Sequence, residues 1–269
     1  MSGRIIGIDR DPTLVRASGV WTPKDVASGK ANDTWPRILD YPTEVLADKP
    51  TAFYRFNETS GSSFADSSAN SSSPISFGSV TIGQAGAYSG SYSAYFNGAV
   101  SCVSPSGNSF NPTHITGIEF IFKGVFPGAG GFSEISSRYA SNTYNNHQVR
   151  LADTGLIQVY MLTTNSNYIG NSASGHSDNT WYHVFWKHDK SSSYLYVNGI
   201  LKSSASDASW SLHKGFLANN SAYGWYFSRA VWTPTYYFTG YLQDWALYMD
   251  NIDEDRIQAH AKAAGLFDG

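Results

Sequence analysis

The dipeptide Asn198-Gly199 constrains what this chain can fold into more than any other feature. It separates Tyr194–Val197 from Ile200–Lys202. Both central residues of a two-residue type I′ turn need positive φ, which Asn and Gly tolerate best. A β-hairpin is predicted here. Just upstream, Trp181–Trp186 carries aromatic and β-branched residues on both faces, which suits the middle of a sandwich better than a solvated sheet edge. Lys187–Ser193 is polar and reads as the turn joining the two. Thr180–Lys202 is therefore predicted to form three adjacent antiparallel strands.

Composition agrees with an all-β reading. Aromatics make up 15% of the 269 residues, charged residues only 14%, and there are 25 glycines, a balance that favours β-rich globular structure over helical or disordered chains. The formal net charge of −3 offers no basic surface for nucleic acid. Cys102 is the single cysteine, so no intrachain disulfide forms, and it reads as a buried small hydrophobe. The opening MSGRIIGIDRDPT lacks a long apolar core and reads as no secretory signal, and no window has the ~18 apolar residues of a membrane helix. Folding in a cytoplasm is expected.

Two regions are distinguished along the chain. Residues 1–48 are denser in charge, with scattered apolar residues including Trp21 and Trp35, and Thr22-Pro23 reads as a helix start. This segment is expected to be an arm that docks on a partner through Trp21 and Trp35; packing on its own domain is the alternative. Residues 49–269 show short strands and turn clusters without an internal repeat, the pattern of a sandwich. Strands are expected at Thr51–Phe56, Ile75–Ile82, Ser91–Asn97, Ala99–Val103, Ile115–Lys123, Ser133–Arg138, His147–Leu151, Leu156–Thr163, Asn167–Ile169, Lys214–Leu217 and Tyr223–Ser228. Another covers Tyr236–Met249, with a break near Gly240. A C-terminal helix follows, with Ile252, Ile257, Ala261 and Ala264 on one face, Asp253 or Asn251 as cap and Gly265 as its stop.

The order of these signals resembles the laminin G-like, concanavalin A-like jelly-roll family. The resemblance rests on EVLADKPTAFYRFNETSGSSFADSSAN (44–70), GQAGAYSGSYSAYFNGA (83–99), TWYHVFWKHDKSSSYLYVNG (180–199) and FTGYLQDWALYMDNIDEDRIQAHAKAAG (238–265). It implies two antiparallel sheets stacked face to face. SGVWTPKDVASGKANDTWP (18–36) is similar to a segment of tailed-bacteriophage structural proteins. Together these imply a non-enzymatic virion protein: a capsid decoration or cement protein, or part of a tail appendage. It would be assembled in the host cytoplasm, fixed to other virion proteins by the arm, and trimeric by analogy. A stand-alone carbohydrate-binding or adhesin module is the second reading.

Candidate sites are few. Glycosidases need two carboxylates at a fixed separation, and glucanases of this fold carry an alternating Glu-x-Asp-x-x-Glu. No such triplet is present: Glu119 stands alone and Glu134 follows a Gly/Pro turn. No Gly-x-Ser-x-Gly precedes a helix. His183 and His188 fall on opposite faces of one strand and cannot chelate together; His183 reads as a core or hydrogen-bonded strand residue. Many family members hold calcium, which here implies Asp66 and Asn70 as oxygen ligands. The family's second ligand, in Gly-Tyr-Ile-Asp, is replaced by Gln243, and Asp244 is expected to face the other way. The competing reading makes Asp66 an Asx turn. For a glycan, aromatic residues on polar loops are the candidates: Tyr139, Tyr144, Tyr168, Tyr223 and Trp225.

Overall fold

Asn198 and Gly199 both take positive φ, 51° and 77°, and Val197 pairs with Ile200 across them. The hairpin therefore forms as its turn residues require. The computed structural model describes Lys24 and residues 40–104, 116–138, 147–162, 168–189, 192–206, 224–229 and 235–269. The expected helix start at Thr22, the strand at Lys214–Leu217 and the anchoring residues Trp21 and Trp35 lie outside the described residues.

In chain order the elements begin with α1 (Tyr41–Ala47), β1 (Ala52–Tyr54), β2 (Ser63–Phe64), β3 (Ile75–Ser76), β4 (Thr81–Ala85), β5 (Tyr92–Asn97) and β6 (Cys102–Val103). Then come β7 (Gly117–Gly124), β8 (Phe132–Arg138), β9 (His147–Ala152), β10 (Leu156–Leu162), β11 (Tyr168–Ala173) and β12 (Trp181–His188). The chain closes with β13 (Ser192–Val197), β14 (Ile200–Ser206), β15 (Trp225–Phe227), β16 (Thr239–Tyr248) and α2 (Glu254–Ala263). One sheet runs β14-β13-β12-β7-β16-β5-β4, with β1 also paired to β16; a second runs β11-β10-β9-β8-β15-β6; β2 and β3 pair as a separate small sheet. All ladders are antiparallel, which gives the two-layer jelly roll.

The core between the sheets follows from strand alternation. Phe120, Phe122, Val184 and Trp186 point inward from one sheet and meet Val149, Leu151, Ile157 and Val159 from the other, all buried. Trp225, expected on a polar loop, is instead core. It is 1% exposed and its ring lies 4.9 Å from that of Trp245 and 5.4 Å from that of His147. Its neighbours on β15 explain this: alternation in Trp225–Phe227 turns Trp225 and Phe227 inward together.

Strand β16 pairs with β7 along one side, while β5 and β1 share the other side in tandem. The expected break near Gly240 falls elsewhere. The register shifts between Gln243 and Ala246, where Asp244 has φ 52°. This bulge also overturns the expected alternation: Gln243 Nε2 donates to Asp244 Oδ2 at 2.7 Å, so both side chains serve one cluster.

The outer face of the larger sheet is covered by α1 and α2, and a buried carboxylate joins them to it. Glu119 on β7 accepts hydrogen bonds from Tyr41 of α1 (2.9 Å), His183 of β12 (2.6 Å), His260 of α2 (3.0 Å) and Tyr248 of β16. His260 bridges onward to Asp48 Oδ2 at 2.9 Å, and Arg256 grips Asp48 and Glu44. Residues 40–48, assigned to the arm from sequence, are thus an integral part of the domain. Val45 and Tyr41 join Phe53, Ile121, Phe185 and Ile257 in the second apolar cluster beneath the helices. Helix α1 starts at Asp40, whose side chain accepts from Thr43 N at 2.9 Å. Helix α2 ends before Gly265, at φ 68°, as expected.

Burial opposes ionisation of both Glu119 and His260, but each overcomes it through the other. His260, then His183, hold Glu119 well below the usual carboxylate range, while Glu119 and Asp48 raise His260 to about 9. A raised histidine pKa stabilises the fold fully below the unfolded value, ~6.5, and that gain is lost as pH climbs through the folded value. The stability difference between the wild type and His260→Gln, measured by urea unfolding, should be constant between about pH 4.5 and about pH 6.5, and should fall at lower pH as the paired Glu119 loses its advantage. The difference should also shrink towards pH 9. Glu119→Gln should cost roughly 3–5 kcal/mol in the same assay at pH 6, since it strands two buried histidines.

Candidate functional site

Among the described residues both helices pack on the other sheet, and no helix packs on the outer face of the six-stranded sheet. On this outer face Glu134, Ser137, Gln148 and Gln158 are buried, Arg150 and Tyr160 half-buried and Ser172 exposed. Its composition is unusual for a solvated sheet surface. A cross-strand row runs Glu134, Arg150, Gln158 and Ser172 over β8, β9, β10 and β11. The next row brings Ser137, Gln148, Tyr160 and Gly170 together. These residues alternate with Val149, Leu151, Ile157 and Val159 on the core side, so strand periodicity alone places them outward.

Arg150 is the centre of this face. Its guanidinium carbon sits 4.0 Å from the ring centroid of Phe132 and 4.6 Å from that of Tyr160. Such stacking fixes the planar group. Arg150 Nε donates to Gln158 Oε1 at 3.0 Å, and Gln158 Nε2 donates to Ser172 Oγ at 3.3 Å. Gly170 makes the arrangement possible: a Cβ there would lie 2.4 Å from a carbon of the Tyr160 ring, so only glycine lets that ring lie down on the strand.

Glu134 is the cross-strand neighbour of Arg150, fully buried, and neither of its carboxyl oxygens has a hydrogen-bond partner. Burial drives its pKa well above the usual carboxylate range, with only a partial opposing pull from Arg150. It is held as a neutral carboxyl beneath the guanidinium. A bulge between Glu134 and Ser136 sets this geometry, letting Ile135 turn into the core while Glu134 stays on the outer face.

The sites expected from sequence fare differently. Tyr139, Tyr144 and Tyr223 lie outside the described residues. Tyr168 is the first residue of β11, in register with Leu162. Trp225 is in the core, as described above. Asp66 folds its own loop: Oδ1 accepts from Phe53 N and Ser68 N, Oδ2 from Ser72 N and Ser68 Oγ, at 2.7–2.9 Å. Asn70 Nδ2 donates to Thr51 O at 2.8 Å. At the second calcium position Gln243 Oε1 accepts from Ala87 N, and Asp244 binds Tyr88 and Arg55. Asp244 is pushed up to about 6 by burial, despite Arg55. With the lone pairs of Asp66 already occupied and Asp244 neutralised by Arg55, these residues do not fit a calcium ion. Among the described residues no group of three or more acidic, His or Cys side chains could hold a metal.

Sequence reasoning missed Arg150, Gln158 and Tyr160. The signal available was alternation in HQVRLA and LIQVYML, whose polar positions share one face.

The model of the concanavalin A-like lectin/glucanases superfamily matches residues 128–258. No curated protein matches the sequence significantly. Among solved structures, the fold is similar to domain 4 of AbnA, a GH43 extracellular arabinanase from Geobacillus stearothermophilus, in complex with arabinotriose. That match has 16% identity and a TM-score of 0.58, over 79% of this chain and 98% of that one. It is also similar to the botulinum neurotoxin type G receptor binding domain, with 13% identity and a TM-score of 0.61 over 80% of this chain; the chain spans about half of that domain, 51%. The CBM40 of the Ruminococcus gnavus IT-sialidase, bound to alpha2,3 sialyllactose, matches with 13% identity and a TM-score of 0.50, over 62% of this chain and 95% of that one.

Adding millimolar calcium or a chelator should leave the thermal midpoint unchanged. Asp66→Ala should lower stability by about 1–3 kcal/mol, because it leaves buried donors of the loop unpaired. A calcium-dependent rise in midpoint that Asp66→Ala abolishes would overturn this assignment.

Proposed function

Taking the described domain as a laminin G-like, concanavalin A-like jelly roll, we propose that it is a non-catalytic glycan-recognition module. The observation that carries this reading is the half-buried Phe132–Arg150–Tyr160 stack on the outer face of the sheet, with the exposed Ser172 beside it. Aromatic faces take the apolar side of a sugar ring, while amides and hydroxyls take its rim. Two of the similar structures were solved with saccharides, arabinotriose and sialyllactose, which supports a saccharide ligand.

A hydrolytic role is disfavoured by topology. Glycoside hydrolysis sets two carboxyls roughly 5–10 Å apart on either side of one bond. Glu119 points away from the sandwich under α1 and α2, while Glu134 lies on the outer face of the opposite sheet. Two stacked sheets ~10 Å apart separate them, so they cannot flank a common bond.

For the biological setting we propose a virion protein of a tailed bacteriophage, a capsid decoration or tail-appendage component. The residues ahead of Asp40 attach it to other virion proteins, and the assembled form is a homotrimer. The motivation is the resemblance of residues 18–36 and the charge-dense character of that segment. The alternative, a stand-alone carbohydrate-binding or adhesin module, predicts no association with particles.

Two experiments test these parts separately. A glycan array with the purified protein should yield saccharide ligands whose binding Tyr160→Leu weakens at least fivefold; an array without ligands overturns the recognition role. A chain beginning at residue 40 should fold like the full chain but fail to join purified particles, read by mass spectrometry. Particle incorporation equal to that of the full chain would remove the attachment role. A chain beginning at residue 49 is unsuited to this test, because it loses Tyr41, Glu44 and Asp48 from the Glu119 network.

A further inference from the structure

Arg150 spends only part of its hydrogen-bonding capacity on the protein. Nε is committed to Gln158, and among the described residues the two terminal nitrogens have no hydrogen-bond or ion-pair partner. The residue is half-buried and its plane is fixed by Phe132 on one side and Tyr160 on the other. An arginine on a sheet surface ordinarily loses its order to solvent; this one is held in place with its end-on fork unused. That fork matches a planar carboxylate bidentately, and its preorganisation reduces the entropy lost on binding.

The neighbouring acid does not cancel it. Glu134 is paired with Arg150 across the strands, yet no ion pair forms and both carboxyl oxygens stay unpartnered in full burial. A cross-strand acid and base would normally neutralise each other. Here the carboxyl is buried out of reach, leaving an uncompensated positive charge on a face otherwise built from amides, hydroxyls and aromatic rings.

Resting on the glycan-recognition reading above, we propose that this face selects saccharides bearing a carboxylate, uronic or sialic in type. The terminal nitrogens of Arg150 bind the carboxylate, Tyr160 and Phe132 flank it, and the exposed Ser172 faces an adjoining hydroxyl. One guanidinium fork accounts for one planar anionic group, so the ligand class is a single carboxylate on a sugar rather than a densely sulfated chain.

Matched probes test this with the full chain in calorimetric titrations at pH 7. An oligogalacturonide is compared with its methyl ester, a sialylated trisaccharide with its lactose core, and a sulfated oligosaccharide is run alongside. One or both acidic members should bind at least tenfold tighter than the neutral partner. Arg150→Gln should abolish that preference, and Arg150→Lys, which keeps the charge without the fork, should retain only part of it. Should Arg150→Gln fail to fold by circular dichroism, Tyr160→Leu, which releases one side of the clamp, should reduce the preference at least threefold. Equal binding of acidic and neutral members, or a preference for the sulfated probe alone, overturns the inference while leaving glycan recognition standing. A preference that survives Arg150→Gln also overturns it. Binding to no saccharide overturns both.

Discussion

A single buried carboxylate holds the architecture of one side of this domain together. Glu119 sits on a central strand, without solvent, and receives hydrogens from two tyrosines and two histidines that belong to four different elements. A buried charge of this kind is costly unless fully paired, and removal of any one partner leaves the rest stranded. The helices are therefore registered on the sheet by chemistry as well as by apolar packing. Tyr41, Val45, Ile257 and Ala264 supply area; Glu119 dictates which turn of each helix lies above β7. Apolar contacts alone would allow α2 to slide or rotate, since Ala and Ile fit many positions, but His260 bonds to both Glu119 and Asp48 from only one of them.

The opposite layer uses charge in the reverse sense. There the acid is neutral and idle while the base is held ready. One glutamate, paired with histidines, closes a structural knot on one face; the other, beside an arginine, stays unpartnered. The difference lies in what covers them. Helices α1 and α2 exclude water around Glu119 and bring donors with them, whereas no described helix covers β9 and β10.

How much of this was readable from the amino-acid order depends on the range of each interaction. The Asn198-Gly199 hairpin, the inward alternation of β7 and β12 and the Gly265 stop of the terminal helix depend on residues within one turn or strand, and their signals are local. His183 was correctly read as a hydrogen-bonded strand residue, but its partner is 64 positions away and the other histidine on Glu119 is 141 away. No spacing rule joins such residues; only the order of strands in the sheet does. Helix α1 escaped notice because seven residues with a proline among them carry too little periodicity. Trp225 was misjudged because Asn, Ser and Gly around it suggest a loop, while the three-residue strand that turns it inward is too short to announce itself. The bulges at Ile135 and Asp244 shift faces by one residue, and a simple alternation cannot foresee them.

The placement of α1 fixes the polarity of display. It lies on the outer side of the eight-stranded layer, and the Arg150 surface looks out from the other layer. Under the proposed reading, a carrier gripped near Asp40 and a saccharide held at Arg150 would meet opposite layers of the sandwich, so that neither contact shields the other.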